Sequence, residues 1–353
     1  MTSSTPAAGD SAVFLEQMRA LALTALGAWD LPVTGIAPIK VRENAVFRLD
    51  LAGGGRAVLR VHRRGYHSDE ALESEFHWLR ALEAAGIPVP RAIPSRRGRD
   101  FEVVAASGGS RQIDVFEWID GNQMGSVETG PTGTDEAIAG QYHRIGTIAA
   151  RMHNQSSDWQ RPPGFQRHAW DLRGLVGEQP LWGRFWELAT LTHTQKSLLD
   201  RARALIASGL AAYGMRPDRY GLIHADLVPE NLLLDGDRVR VIDFDDAGFG
   251  WYLFELATSL YFISGDRIYP TARDALIRGY RSERALSDEA LEWLPLFLAA
   301  RGTTYLGWVH TRPDSDTARE FTPFLIERAC AVAEEFLAAC RCARCGSRAT
   351  TTA

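Results

Sequence analysis

The chain has 353 residues, 45% of them hydrophobic and 24% charged, with a formal charge of −5. That balance belongs to an ordinary globular fold and argues against disorder, and the acidic excess leaves no surplus cation to neutralise a phosphate backbone, so no nucleic-acid partner is expected. No stretch approaches the roughly 18 apolar residues of a membrane helix, and Met1 to Ser11 lacks the basic start and apolar run of a secretory signal; no membrane association, a flexible terminus over residues 1–11 and a cytoplasmic location are expected.

Residues 12–28 carry apolar side chains at helical spacing, and strand-like alternation follows over 36–51 and 56–62. Between these strands Ala52-Gly53-Gly54-Gly55 is a hairpin signal. A second helix is predicted over 69–85, with Ser68 as its cap, an apolar face of Leu72, Phe76, Leu79 and Leu82, and Gly86-Ile87-Pro88 as its stop. Strand patterns at 101–106 and 112–118 complete a small antiparallel sheet with one packed helix. Past Ile119-Asp120-Gly121 the helical period takes over, clearest at 140–154 and 194–213 and again from 253 onward. Short apolar strands are predicted there only at 221–224, 231–234 and 238–242. The fold class is therefore α+β with two lobes: a β-rich N-terminal lobe over 12–118, a hinge near 119, a mainly helical C-terminal lobe over 119–340, and a flexible tail over 341–353.

All four cysteines sit near the C-terminus, and Cys340, Cys342 and Cys345 form C-x-C-x-x-C. That cluster suits a metal or a redox disulfide, or else a solvated tail; its spacing lacks the two paired C-x-x-C knuckles of a zinc site.

The chemistry is concentrated in 221–246, GLIHADLVPENLLLDGDRVRVIDFDD. An apolar strand delivers His224, Ala225 and Asp226 to a loop, Asn231 follows five positions after Asp226, and a hairpin turning at Asp235-Gly236-Asp237 returns a strand that ends at Asp243. The expected result is three oxygen-bearing side chains at one end of one small sheet. Phosphoryl transfer calls for that arrangement, because the protein's work is positioning and charge neutralisation. One carboxylate orients an acceptor hydroxyl, and an Asn with an Asp offers Mg²⁺ hard oxygen donors without filling its shell.

On His224-Ala225-Asp226, Asn231 and Ile242-Asp243-Phe244-Asp245-Asp246, the sequence resembles the aminoglycoside phosphotransferase superfamily, a protein-kinase-like group that also includes choline, homoserine, hydroxylysine and macrolide kinases. The resemblance implies an ATP- and Mg²⁺-dependent transfer to a small-molecule hydroxyl. Asp226 would be the catalytic base, Asn231 and Asp243 the magnesium ligands, and His224 a support of the catalytic loop. It extends to Ala57-Val58-Leu59-Arg60-Val61-His62-Arg63, where Arg60 would contact the nucleotide phosphates and Glu75 would pair with it. Glu43-Asn44 would lie in the nucleotide-covering loop, and main-chain groups of Glu117 and Ile119 would bind adenine. Arg60 stands where the family usually has lysine, and a planar guanidinium is not equivalent to a point ammonium.

The segment Phe249 to Ala257 resembles the family helix that follows the metal site, with Glu255 where an Asp is frequent, and it would anchor the catalytic loop rather than touch substrate. Asp245 and Asp246 would attract a cationic acceptor, bind a second metal or cap the next helix. Tyr261, Arg301, Tyr305, Trp308 and His310 would wall the acceptor pocket, or pack in the core. Two further readings stand beside the small-molecule kinase: a protein Ser/Thr kinase of the stress-response type, and a catalytically silent nucleotide-binding module motivated by Arg60.

Overall fold

The computed structural model describes residues 8–41, 44–106, 109–126, 129–236, 238–313 and 315–349. The chain divides into two compact units, the first made of residues up to Gly121 together with Gln160–Arg167, the second of Asn122–Trp159 and His168 onward. The boundary falls two residues past the expected hinge, and the excursion over 160–167 into the first unit has no counterpart in the expected lobe plan.

The first unit opens on helix α1 (Ala8–Leu26), which starts inside the segment expected to be flexible. Strands β1 (Val33–Val41), β2 (Ala45–Leu51), β3 (Arg56–Val61), β4 (Phe101–Val104) and β5 (Arg111–Glu117) form one antiparallel sheet in the order β1-β2-β3-β5-β4. The β2–β3 hairpin turns at Gly53 and Gly54, whose φ values of 90° and 88° are open to glycine without strain. Alternation places Ala45, Phe47 and Leu49 of β2 on the face covered by Met18, Ala22, Ala25 and Trp29. Helix α2 (Asp69–Ala84) matches its prediction. Ser68 caps the Ala71 amide, Asp69 and Glu70 sit in the first turn where the helix dipole favours acids, and the four forecast apolar residues are all buried.

In the second unit the main helices are α3 (Asp135–Asp158), α4 (Leu172–Val176), α5 (His193–Tyr213), α6 (Tyr252–Tyr261), α7 (Tyr269–Arg281), α8 (Asp288–Leu291), α9 (Leu294–His310) and α10 (Asp316–Ala349). Two glycines set how closely α3 and α7 cross: a Cβ on Gly146 would come within 2.0 Å of the Leu276 carbonyl oxygen, and one on Gly279 within 1.8 Å of that of His143. No side chain fits at either crossing point, and the close approach brings His153 of α3 against Tyr280 of α7.

The strands of this unit correct the sequence reading. Besides β10 (Tyr220–Ile223), β11 (Leu232–Asp235) and β12 (Arg238–Val241) there are β6 (Asn122–Gln123), β7 (Gly125–Ser126), β8 (Gly130–Pro131), β9 (Ala169–Trp170) and β13 (Gly248–Trp251). They form separate sheets, β10-β13-β9 and β12-β11-β6, with β7 paired to β8. The strand leading to Asp226 therefore belongs to a different sheet from the hairpin leading to Asp243. The cause is β13, whose Gly-Phe-Gly-Trp sequence has no apolar alternation yet fits because a Cβ on Gly250 would lie 2.4 Å from Ile223 of β10. The last helix runs to Ala349, past the point where a flexible tail is expected.

Candidate active site

Beyond β10, Ala225 takes a left-handed backbone with φ 66°, a conformation that costs an alanine roughly 1–2 kcal/mol. Glu255 of α6 holds it there. Its two carboxylate oxygens accept the amides of His224 and Ala225, each at 2.7 Å, in a fully buried setting. Burial by itself would raise the Glu255 carboxyl, but the His153 ring 3.8 Å away and His224 with the amide it donates outweigh it and hold Glu255 below the usual range. His153 is pushed down by burial. It stacks on Tyr252 at 4.2 Å, and its Nδ1 lies 2.9 Å from the Tyr280 hydroxyl. The sequence reading placed Glu255 as the anchor of this loop, and the geometry agrees.

His224 is completely buried. The Asp226 amide donates to its Nδ1 at 3.2 Å, so Nδ1 is the acceptor and Nε2 carries the proton that faces the Ile242 carbonyl at 3.1 Å. The ring is thus a strut between the loop and the end of the hairpin, with both nitrogens engaged by main chain.

Asp226 has both carboxylate oxygens bonded. Asn231 Nδ2 donates to Oδ2 at 2.7 Å and to the Asp226 carbonyl at 3.0 Å, and Arg301 Nη2 donates to Oδ1 at 2.7 Å. Asn231 closes a short 3-10 turn over Pro229–Asn231, and its carbonyl accepts the Ile242 amide at 3.0 Å. That bond ties the residue preceding Asp243 to Asn231. Asp243 is itself left-handed, φ 66°, with an exposed side chain. Two non-glycine residues at positive φ within one loop system mark strain that the surrounding bonds must sustain.

Of the acceptor-side candidates, Asp245 is buried and Asp246 half-buried, its carbonyl accepting from His168 Nε2 and Trp170 Nε1 at 2.9 Å each. Neither aspartate caps the following helix, whose N-cap is Trp251. Arg301 and Tyr305 sit one turn apart on α9, joined by a 2.7 Å bond from Nη2 to the hydroxyl, with the Tyr261 ring tilted against Tyr305 at 5.2 Å. Trp308 and His310 stand apart from this group: His310 faces Glu187 at 3.8 Å and Arg312 lies over the Trp308 ring.

In the first unit, Arg60 is buried and bonded to Glu75 at 2.8 Å, the pair expected from sequence. A second carboxylate was not foreseen: Asp114 of β5 receives Arg60 Nε and Nη2, the latter at 2.8 Å, and faces His62 Nε2 at 2.7 Å. Burial would raise the Asp114 carboxyl, but Arg60 and His62 outweigh it and hold it low. Glu75 also receives Arg167 at 3.4 Å. Asp114 was findable in principle, since the β3–β5 register sets it directly opposite Arg60. Asn44 is buried and accepts the Arg63 amide at 2.8 Å, while Glu43 lies outside the described residues. The Glu117 amide donates to the Arg91 carbonyl at 2.8 Å, so that main-chain donor is already engaged within the chain. Ile119 follows β5 half-buried.

Cys330 and Cys340 lie half-buried on α10; the side chains of Cys342 and Cys345, and with them the cluster call, fall outside the described residues. A groove of about 870 Å³ between α5 and α10, lined by Thr192, Gln195, Arg319 and Cys330 among others, shares none of its lining with Asp226 or its partners. Among the described residues no helix is long and apolar enough to cross a membrane.

Residues 35–294 match the phosphotransferase enzyme family. Amicoumacin kinase of Bacillus subtilis is 26% identical over 280 residues, covering 74% of this chain and 76% of that protein. Homoserine kinase of Gluconacetobacter diazotrophicus is 35% identical over 282 residues, 76% of this chain and 79% of the relative. Among solved structures, the microcompartment-associated aminopropanol kinase superposes with a TM-score of 0.80 at 33% identity, covering 91% of this chain and 98% of the other.

Proposed function

This chain belongs to the phosphotransferase enzyme family and is a kinase, and on that premise we propose that it moves the γ-phosphoryl group of ATP onto a hydroxyl of a small molecule with Asp226 as the base. The observation that carries this reading is the fixed carboxylate of Asp226, one oxygen on Asn231 and the other on Arg301, at the tip of a strained loop. An acceptor hydroxyl loses its proton to the Asp226 carboxylate as its oxygen forms the new bond to the γ-phosphorus. The bond from that phosphorus to the β–γ bridging oxygen breaks, and ADP leaves with the electron pair.

Asn231 and Asp243 would hold a magnesium ion. The Asn231 amide nitrogen is committed to Asp226, so its Oδ1 would be the donor, and Asp243 would add an exposed carboxylate from a neighbouring strand end. Two such donors leave most of an octahedral shell to phosphate and water oxygens. Magnesium, when bound, neutralises charge on the phosphates. Arg60, steadied by Glu75 and Asp114, is the proposed phosphate contact, with Asn44 in the covering loop and the main chain of Glu117 and Ile119 at the adenine. Asp245 and Asp246 favour an acceptor that carries an ammonium group, such as the amino alcohols and hydroxyamino acids for which the aminopropanol and homoserine kinases are named; Tyr305 is a further proposed acceptor contact.

Mass spectrometry of reactions with MgATP and a panel of homoserine, 1-amino-2-propanol, choline, hydroxylysine and aminoglycosides tests the proposal, with a protein mixture as a further arm. One phosphoryl group should appear on a small acceptor, and Asp226→Asn should lose that transfer while still binding ATP. Full turnover in Asp226→Asn would remove its role as base. Phosphate appearing only on protein would move the assignment to a protein kinase, and ATP binding without transfer to a silent nucleotide-binding module.

A further inference from the structure

We infer that Arg301 is a positioning residue for the reaction: it acts through Asp226, fixing the orientation of the carboxylate that receives the acceptor's proton, rather than holding the acceptor. The inference rests on Asp226 being the base, as proposed above.

Arg301 is a charged side chain with no exposed surface, on a helix that is buried around nearly its whole circumference. Its guanidinium lies against Tyr305 at 4.3 Å, Trp182 at 4.9 Å and Phe254 at 5.6 Å. Among the described residues Nε and Nη1, both buried, have no hydrogen-bond partner, so those donors face the aromatic cage. Nη2 makes the hydrogen bonds seen there, to the Tyr305 hydroxyl and to Asp226 Oδ1, each 2.7 Å. Asp226 is the carboxylate paired with it, and that side chain keeps 21% of its surface exposed.

For stability alone this is a poor use of the position. A desolvated guanidinium with two donors lacking acceptors is costly, cation–π contacts return only part of the cost, and an apolar side chain of similar length commonly does as well or better in such a place. What arginine supplies and an apolar chain cannot is the bond to Oδ1. With Asn231 on Oδ2, that bond removes rotation about the Asp226 side chain and leaves one orientation of the oxygens toward the exposed side. Direct capture of an acceptor by Arg301 fits less well, because its remaining donors are sealed behind the rings.

The test compares Arg301→Met, Arg301→Lys, Asp226→Asn and the double variant Asp226→Asn/Arg301→Met, assayed with MgATP and homoserine or 1-amino-2-propanol, whichever the native enzyme phosphorylates, and otherwise by ADP release to water. Arg301→Met should lower kcat on the order of 100-fold, the cost of misplacing a catalytic group by a fraction of its reach, with KM for ATP changed by less than about threefold. Arg301→Lys, which keeps the charge but not the fork, should fall between Met and the native enzyme. The double variant should be no slower than Asp226→Asn alone, since residues that act as a unit are not additive. An Arg301→Met enzyme within twofold of native kcat overturns the inference, as does a double variant slowed by the full Arg301→Met factor, which is what a structural or acceptor-binding role produces. Native turnover in Asp226→Asn would instead be a failure of the base assignment, and the single-variant data separate the two.

Discussion

Glu255→Gln isolates how the strained loop is held. The native carboxylate accepts two buried amides at 2.7 Å; in the amide one oxygen becomes an NH₂ group, so one of the His224 and Ala225 donors loses its acceptor and meets another donor. A hydrogen bond to a charged group contributes about 1.5–3 kcal/mol, and an orphaned buried donor costs a similar amount, so a loss of about 3 kcal/mol is expected in the second unit. With a urea slope of about 3 kcal/mol per M for a unit of this size, the midpoint should fall by roughly 1 M. Turnover should fall more steeply than stability at working temperature, because Ala225 is then free to leave its left-handed conformation and carry Asp226 with it. Urea unfolding followed by tryptophan fluorescence, beside kcat on the native acceptor, reads both effects. A midpoint unchanged within about 0.2 M, together with native kcat, would refute the idea that Glu255 sustains the backbone at Ala225.

Two further outcomes are expected. Asp114→Asn should destabilise the first unit by about 3 kcal/mol, since it strips the buried Arg60 of one of its two carboxylates; chemical denaturation measures it, and a higher KM for ATP should accompany it if Arg60 meets the phosphates. Acid should weaken the fold in two stages. His153 is held down by burial, so below about pH 6.5 the unfolded chain takes up a proton there that the folded chain refuses, and stability falls with pH. Glu255 and Asp114 are held below the usual carboxylate range, so their contribution is intact above about pH 4 and is lost as pH drops toward their folded values. Urea midpoints from pH 8 down to about 2.5 should show both stages, and His153→Asn should flatten the upper one.

The parts of this molecule that could be read in the sequence are those where chemistry fixes an offset along the chain. His224, Asp226 and Asn231 are linked by bonds spanning two and five residues, and the hairpin that follows aligns Leu232 with Val241, so spacing alone brings the end of one strand beside the other. Arg60 and Glu75 are likewise set by a strand and the helix after it. The single-sheet expectation failed because β13 is built on two glycines chosen for closeness to Ile223 and to His168, which leave no alternation to detect. Asp114 was hidden among apolar neighbours on an interior strand, where a buried acid is visible only once the register puts a cation opposite it.

Arg301 is the hardest case, and for a definite reason. Helical periodicity orients a helix only when one face is polar, and α9 is buried at every position from Leu296 to Gly307, so its sequence offers no stripe from which to say which face looks at the loop. The i, i+4 spacing of Arg301 and Tyr305 says that they share a face, but not that Asp226 lies across from it. The orientation comes from tertiary packing, where Gly302 lets the Tyr261 ring approach within 3.1 Å of the place a Cβ would occupy. A bulkier residue there would rotate or lift α9, and with it the one cation bonded to Asp226 among the described residues, so the setting of the proposed base depends on a glycine far from any recognisable motif.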